Sequence, residues 1–154
     1  MLQQYAGSAS MPRRMQSAPR LEGLHHIGIA VRSLDEALPR WTGLGLRLLG
    51  IEDVPTQGVR VAILMAGSTR IELLEPQAPD SPVGKFLQSR GPGVHHLAFG
   101  VRDCQQQIDA MTRSGAPMLN KVPAPGAHDC RVAFVHPKHL GGVLAEFVED
   151  PAHE

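Results

Sequence analysis

The sequence predicts an α+β fold built from two βαβββ modules within one chain of 154 residues. Two observations carry that reading: an internal repeat, and an apolar alternation that opens each copy as a strand. His25-His26-Ile27-Gly28-Ile29-Ala30-Val31-Arg32 returns as His95-His96-Leu97-Ala98-Phe99-Gly100-Val101-Arg102, and Gly45 then matches Gly115 at the same offset. Arg60-Val61-Ala62-Ile63-Leu64 returns as Arg131-Val132-Ala133-Phe134-Val135, and Ile71-Glu72-Leu73-Leu74-Glu75 as Ala145-Glu146-Phe147-Val148-Glu149. Matched blocks in one order are the mark of a duplication.

Taken in order, residues 25–31 alternate and are rich in β-branched side chains, which predicts a strand. A short helix follows over 34–41, weakened by Pro39, whose ring removes an internal hydrogen bond. Strands are expected near 46–51, 58–65 and 69–75. Asp80-Ser81-Pro82, then Val83, Phe86 and Leu87, then Gly91, predicts a connecting helix over 80–91 with Ser81 as cap and Pro82 in first position. The second copy supplies a strand over 95–101 and a helix over 103–113 with Cys104, Ile108 and Met111 on one face and Gly115 as its stop. Strands near 117–121, 130–136 and 143–149 complete it. The domain is expected to span 22–150, as module 22–78, helix 80–91 and module 92–150.

Residues 1–21 hold no Asp or Glu, include Arg13, Arg14 and Arg20, and lack apolar periodicity. They are expected to be a disordered extension. Fifteen basic side chains balance fifteen acidic ones, and they are scattered, so no electrostatic footprint for a nucleic acid exists. No apolar run approaches the roughly 20 residues of a membrane span. Cys104 and Cys130 cannot make a disulfide framework, which fits a reducing, cytoplasmic setting.

Alternation divides the first strand into two faces. His25, Ile27, Ile29 and Val31 form a bulky face expected to pack on a helix, and His26, Gly28 and Ala30 the other. The second copy repeats this with His95, Leu97, Phe99 and Val101 against His96, Ala98 and Gly100. A histidine followed by two minimal side chains, twice in register, leaves volume beside His26 and His96. Glu72 and Glu146 stand mid-strand in apolar runs, where an ionised carboxylate is costly unless paired or metal-bound. Two His and two Glu at repeat-related positions make a nitrogen and oxygen site for a divalent ion. Gln57-Gly58 reads as turn chemistry first and substrate contact second. His136-Pro137-Lys138 is a cation at the cavity mouth or a solvated loop. Neither cysteine has a paired base, so a thiol nucleophile is not expected.

These residues carry a resemblance. Leu24 to Val31, Val54-Pro55-Thr56-Gln57-Gly58-Val59, Ile71 to Pro76, Gly93 to Phe99, and His136-Pro137-Lys138 with Gly142-Val143-Leu144-Ala145-Glu146 resemble the methylmalonyl-CoA epimerases of the vicinal oxygen chelate superfamily. The resemblance covers 22–150 and implies a cup-shaped mixed sheet, an acyl-CoA thioester substrate, a homodimer, and one divalent ion per chain held by His26, Glu72, His96 and Glu146. Cobalt is the first choice, with nickel, manganese or zinc as alternatives. It also implies interconversion of the two C2 epimers of methylmalonyl-CoA through a metal-stabilised enolate, with Glu146 and Glu72 as the catalytic carboxylates. Some members carry Gln where this chain has Glu72. One bacterial epimerase has a second carboxylate where this chain has Val61, although others also lack it. The rival readings are a glyoxalase I acting on a glutathione hemithioacetal, an extradiol dioxygenase, and a non-catalytic drug-binding resistance protein.

Overall fold

A computed structural model describes residues 18–153. The expectation of a disordered extension therefore lies, for residues 1–17, outside the described residues. The first module runs β1 (Gly23–Ala30), α1 (Leu34–Gly43), β2 (Arg47–Val54), β3 (Val59–Ala66) and β4 (Thr69–Pro76). Helix α2 (Pro82–Arg90) leads to the second module: β5 (Gly93–Gly100), α3 (Cys104–Arg113), β6 (Ala124–Pro125), β7 (Arg131–Val135) and β8 (Ala145–Glu149).

All strands join one curled mixed sheet in the order β2-β3-β4-β1-β5-β8-β7-β6. The order is symmetric about the β1/β5 seam, as a duplication requires. Within each module the first strand pairs in parallel with the last, so Gly28 lies beside Glu72 and Ala98 beside Glu146. The two first strands then run antiparallel to each other, with His26 opposite Ala98 and His96 opposite Gly28.

Helices α1 and α3 cover the outer face. Ile27, Ile29 and Leu73 pack with Leu34, Leu38 and Trp41, and Phe99, Val101 and Phe147 pack with Cys104, Ile108 and Met111, burying apolar area that stabilises each module by about 25 cal/mol per Å². Ser33 accepts the Glu36 N–H and Asp103 the Gln106 N–H as N-caps. A second carboxylate reaches each helix start from the neighbouring strand. Glu75 accepts the Leu34 N–H at 2.6 Å and Glu149 the Cys104 N–H at 2.7 Å, placing negative charge at the positive end of the helix dipole. Pro39 is tolerated within α1, which continues to Gly43.

Helix α2 begins as the sequence predicts: Ser81 Oγ accepts the Gly84 N–H at 3.1 Å and Pro82 follows it. It is more than a connector. Val83 and Leu87 pack against Ala30, Val59, Val61 and Leu74 on the inner face of the sheet, closing one side of the cup.

The expected strand at 117–121 does not form. Met118 makes an isolated bridge to Val135, flanked by bonds from the Leu119 N–H to the Phe134 carbonyl and from the His136 N–H to the Pro117 carbonyl. The side chain of Asn120 accepts the Phe134 N–H at 2.8 Å where a backbone carbonyl would otherwise serve. Pro117 and Pro123 lack the N–H groups that a ladder needs, so pairing resumes only at Ala124 and Pro125.

Candidate metal centre

The β1/β5 seam decides where the histidines go. Its register slips between Leu24 and His26 opposite Phe99 and Ala98, and again between His96 and Val94 opposite Gly28 and Ile29. Each slip is a β-bulge with one extra residue, His25 in one strand and His95 in the other. A bulge re-aims a side chain that strict alternation would send outward. His25 therefore lines the same cavity as His26, and His95 lines the same hollow as His96. The expected placement of His25 and His95 on the helix-packed face is corrected, while Ile27, Ile29, Phe99 and Val101 keep it.

Inside the cup, His26, Glu72, His96 and Glu146 are all buried. His26 Nε2 and His96 Nε2 lie 3.0 Å apart. Glu146 Oε2 stands 3.1 Å from the first and 3.0 Å from the second. Glu72 Oε2 stands 3.4 Å from His26 Nε2, outside the compact triad of His26, His96 and Glu146 donor atoms that lie within 4.8 Å of one another. Glu146 Oε2 is nonetheless a buried oxygen with no hydrogen-bond partner among the described residues. Its short contacts are approaches without an aligned N–H. Atoms that converge in this way, about 3 Å apart, have the mutual spacing of ligands each about 2.0–2.2 Å from one ion. The donor set, imidazole nitrogen and carboxylate oxygen, suits a divalent transition metal.

The electrostatics agree. Burial alone would push the Glu146 carboxyl up, but His96 and His26 hold it down at about 2. Burial lowers His26, yet Glu72 and Glu146 more than offset that, and its pKa is raised overall. Desolvation carries His95 down to about 4, so it is neutral at neutral pH. Desolvation also raises both thiols to about 12, as expected for inert, unbridged cysteines.

The volume beside Gly28 is not empty. The His96 ring occupies it, and a Cβ at position 28 would overlap the imidazole. What remains around the four side chains is a cavity of about 20 Å³, the size of a water or an ion. Val61 and Gln57 form part of its wall. A larger hollow of about 250 Å³ adjoins it at His96 and Gln57, lined mainly by apolar groups such as Val59, Leu74, Val83, Leu119 and Phe134. Gln57 thus ends a one-turn helix closed by Gly58 in the left-handed region at φ 63° and also faces both cavities. His136-Pro137-Lys138 lines neither one. The His136 ring accepts the Lys138 N–H at 3.0 Å, capping its own exposed turn.

Sequence reasoning missed Asp150, whose Oδ2 lies 2.9 Å from His25 Nε2, and Arg70, which lines the small cavity beside Glu72. The parallel register that sets Arg70 beside His26 leaves no local signal in the chain.

Residues 25–134 match the family model of the Glyoxalase/Bleomycin resistance protein/Dioxygenase superfamily. The chain is 40% identical over 127 residues to the uncharacterised protein YqjC of Bacillus subtilis, covering 82% of this chain and 91% of that one. It is 36% identical over 126 residues to an ethylmalonyl-CoA/methylmalonyl-CoA epimerase of Cereibacter sphaeroides, covering 80% and 94%. A solved methylmalonyl-CoA epimerase in complex with methylmalonyl-CoA and NH4+ superposes with a TM-score of 0.82 at 37% identity, covering 88% of this chain and 99% of that one.

Proposed function

Because the chain belongs to the glyoxalase/bleomycin resistance protein/dioxygenase superfamily, and within it to the methylmalonyl-CoA epimerases, we propose that it is a metal-dependent enzyme interconverting the C2 epimers of methylmalonyl-CoA. The observation that carries the metal is the unpartnered, buried Glu146 Oε2 between two imidazole nitrogens.

His26, His96 and Glu146 would hold the divalent ion, with Glu72 as the fourth ligand; cobalt is the first choice. The ion supplies Lewis-acid stabilisation of the negative charge that develops on the thioester oxygen when C2 is deprotonated. Epimerisation needs that weakly acidic proton removed from one face and one returned to the other. Glu146 is the base on one side, through the carboxylate oxygen that does not face the rings. Glu72, from the other module, is the base on the opposite side, because Val61 offers no proton acceptor. The buried cup excludes bulk water, so a proton taken up by either carboxylate is held for return rather than lost. The apolar hollow beside His96 accommodates the acyl thioester, with Gln57 at the boundary between hollow and ion site.

A cytoplasmic location and a homodimer complete the reading. Among the described residues no helix is long and apolar enough to cross a membrane. The test is epimerisation of methylmalonyl-CoA by the purified protein before and after chelation. Activity that disappears with the metal and returns with cobalt supports the proposal. Activity unchanged after complete metal removal overturns the metal dependence.

A further inference from the structure

Each ion-facing histidine is backed by the histidine before it. His26 Nδ1 lies 2.8 Å from His25 Nδ1, and His96 Nδ1 lies 2.9 Å from His95 Nδ1. Behind the first pair stands Asp150, with Oδ2 2.9 Å from His25 Nε2 and both side chains nearly buried. Behind the second pair stands the Phe86 ring, edge-on to His95 with centroids 4.9 Å apart.

Proton counting follows from these contacts. A carboxylate only accepts, so the His25 proton facing Asp150 must sit on Nε2. A neutral His25 then presents a bare Nδ1, and the proton in the 2.8 Å contact must belong to His26 Nδ1. In the neutral ring that leaves the His26 Nε2 lone pair bare, aimed at Glu146 and the His96 ring, as an ion there would require. The opposite tautomer would point an N–H into the ion site.

We propose that His25 and Asp150 are positioning residues that hold His26 in the Nδ1–H tautomer and fix its ring toward the ion. The proposal deepens the reading above and rests on it for the ion. Metal-ligating histidines commonly gain basicity and orientation from such a partner, and here the bulge at His25 supplies it. The two halves of the site thus differ: the His26 relay ends on a carboxylate, the His95 relay on an aromatic edge.

The same geometry brings the donor atoms of His25, Cys130 and Asp150 within 4.8 Å of one another, so a second ion there is the alternative that the experiment must separate. Long-range proton-nitrogen NMR of the metal-free full-length protein, at a pH high enough for the His26 ring to be neutral, reads its tautomer directly. Titration with Co(II) then gives affinity and stoichiometry for the wild type, His25→Phe, His25→Asn and Asp150→Ala. The expected results are Nδ1–H on His26, one ion per chain, and affinity about 10- to 100-fold weaker in His25→Phe. His25→Asn keeps an acceptor near the Nδ1 position and should stay within about threefold of the wild type. Asp150→Ala, one step farther from the ion site, should lose about 3- to 10-fold and keeps the test available if His25→Phe does not fold.

A neutral His26 that carries its proton on Nε2 in the metal-free wild type overturns the proposal. So does His25→Phe binding within about twofold of the wild type, equal losses in the Phe and Asn variants, or a second ion per chain that His25→Phe removes. A wild type that binds no Co(II) yet shows His26 as Nδ1–H defeats the ion reading and leaves the tautomer assignment standing.

Discussion

The His96 ring, opposite Gly28 on the neighbouring strand, occupies the volume that any side chain at position 28 would fill. One half of the duplication thereby makes room for the histidine of the other. Gly28→Ala should push the ring aside. A displacement near 1 Å at a reacting centre costs on the order of 100-fold in rate, and metal affinity should fall with it. Gly50, on β2 with nothing near its missing Cβ, is the control: Gly50→Ala should bind metal and turn over substrate as the wild type does. Equal behaviour of the two variants in metal titration and turnover would contradict this packing account.

The carboxylates carry a second prediction. Glu146→Gln keeps the shape but removes a basic oxygen and a negative charge, and should abolish epimerisation even where some metal remains. Glu72→Gln, farther from the triad, should retain metal and exchange deuterium at one C2 face without epimerising. Val61→Ala should leave the chemistry nearly unchanged, since neither side chain can carry a proton. Full epimerase activity in Glu72→Gln would make Glu72 a ligand alone.

Stability of the metal-free protein should depend on pH through Glu146. Its carboxyl is held down at about 2 in the fold, so the stabilisation is present above the ordinary carboxylate range and is lost as pH falls toward 2. His26 is shifted the other way, and its contribution is present below about 6.5 and fades as pH rises through its folded value. Thermal denaturation of the metal-free protein should peak between these limits. From pH 5 to pH 2.5 the wild-type Tm should fall by about 5–10 °C more than that of Glu146→Gln. Parallel curves for the two proteins would contradict the assignment.

Helix capping gives a prediction away from the site. Asp103→Ala removes the acceptor of the Gln106 N–H and should cost about 1 kcal/mol in denaturant unfolding. Glu149→Gln weakens the charge-assisted bond to the Cys104 N–H and should cost a similar amount. Neither substitution should change metal stoichiometry, because both act on the outer layer that carries the sheet.

Much of this was legible in the chain because duplication writes every structural demand twice. The modules, the capped α2, the inward His26 and His96, and the buried Glu72 and Glu146 all follow from the repeat with local periodicity. The bulges escaped, since an extra residue in one strand is defined by its partner strand and a period of two cannot register it. Strict alternation therefore sends His25 and His95 to the outer face, and the bulges turn them inward. The repeat predicts a strand at 117–121 that the second copy does not complete, because it has prolines where the first has none and Asn120 supplies the acceptor for the Phe134 N–H. Asp150 and Arg70 reach the site through strand pairings and chain ends far apart in sequence. The small side chains of the first strand point to volume beside Gly28, and the antiparallel seam fills that volume with the His96 imidazole.

The most direct test of the account is NMR of methylmalonyl-CoA incubated in deuterated water with the metal-loaded protein. The account predicts deuterium at C2 in both epimers, interconversion of the two, and no net redox change or released product. A metal-loaded protein that neither exchanges the C2 proton nor binds the CoA ester, while turning over a glutathione hemithioacetal, would contradict it and put the glyoxalase reading in its place.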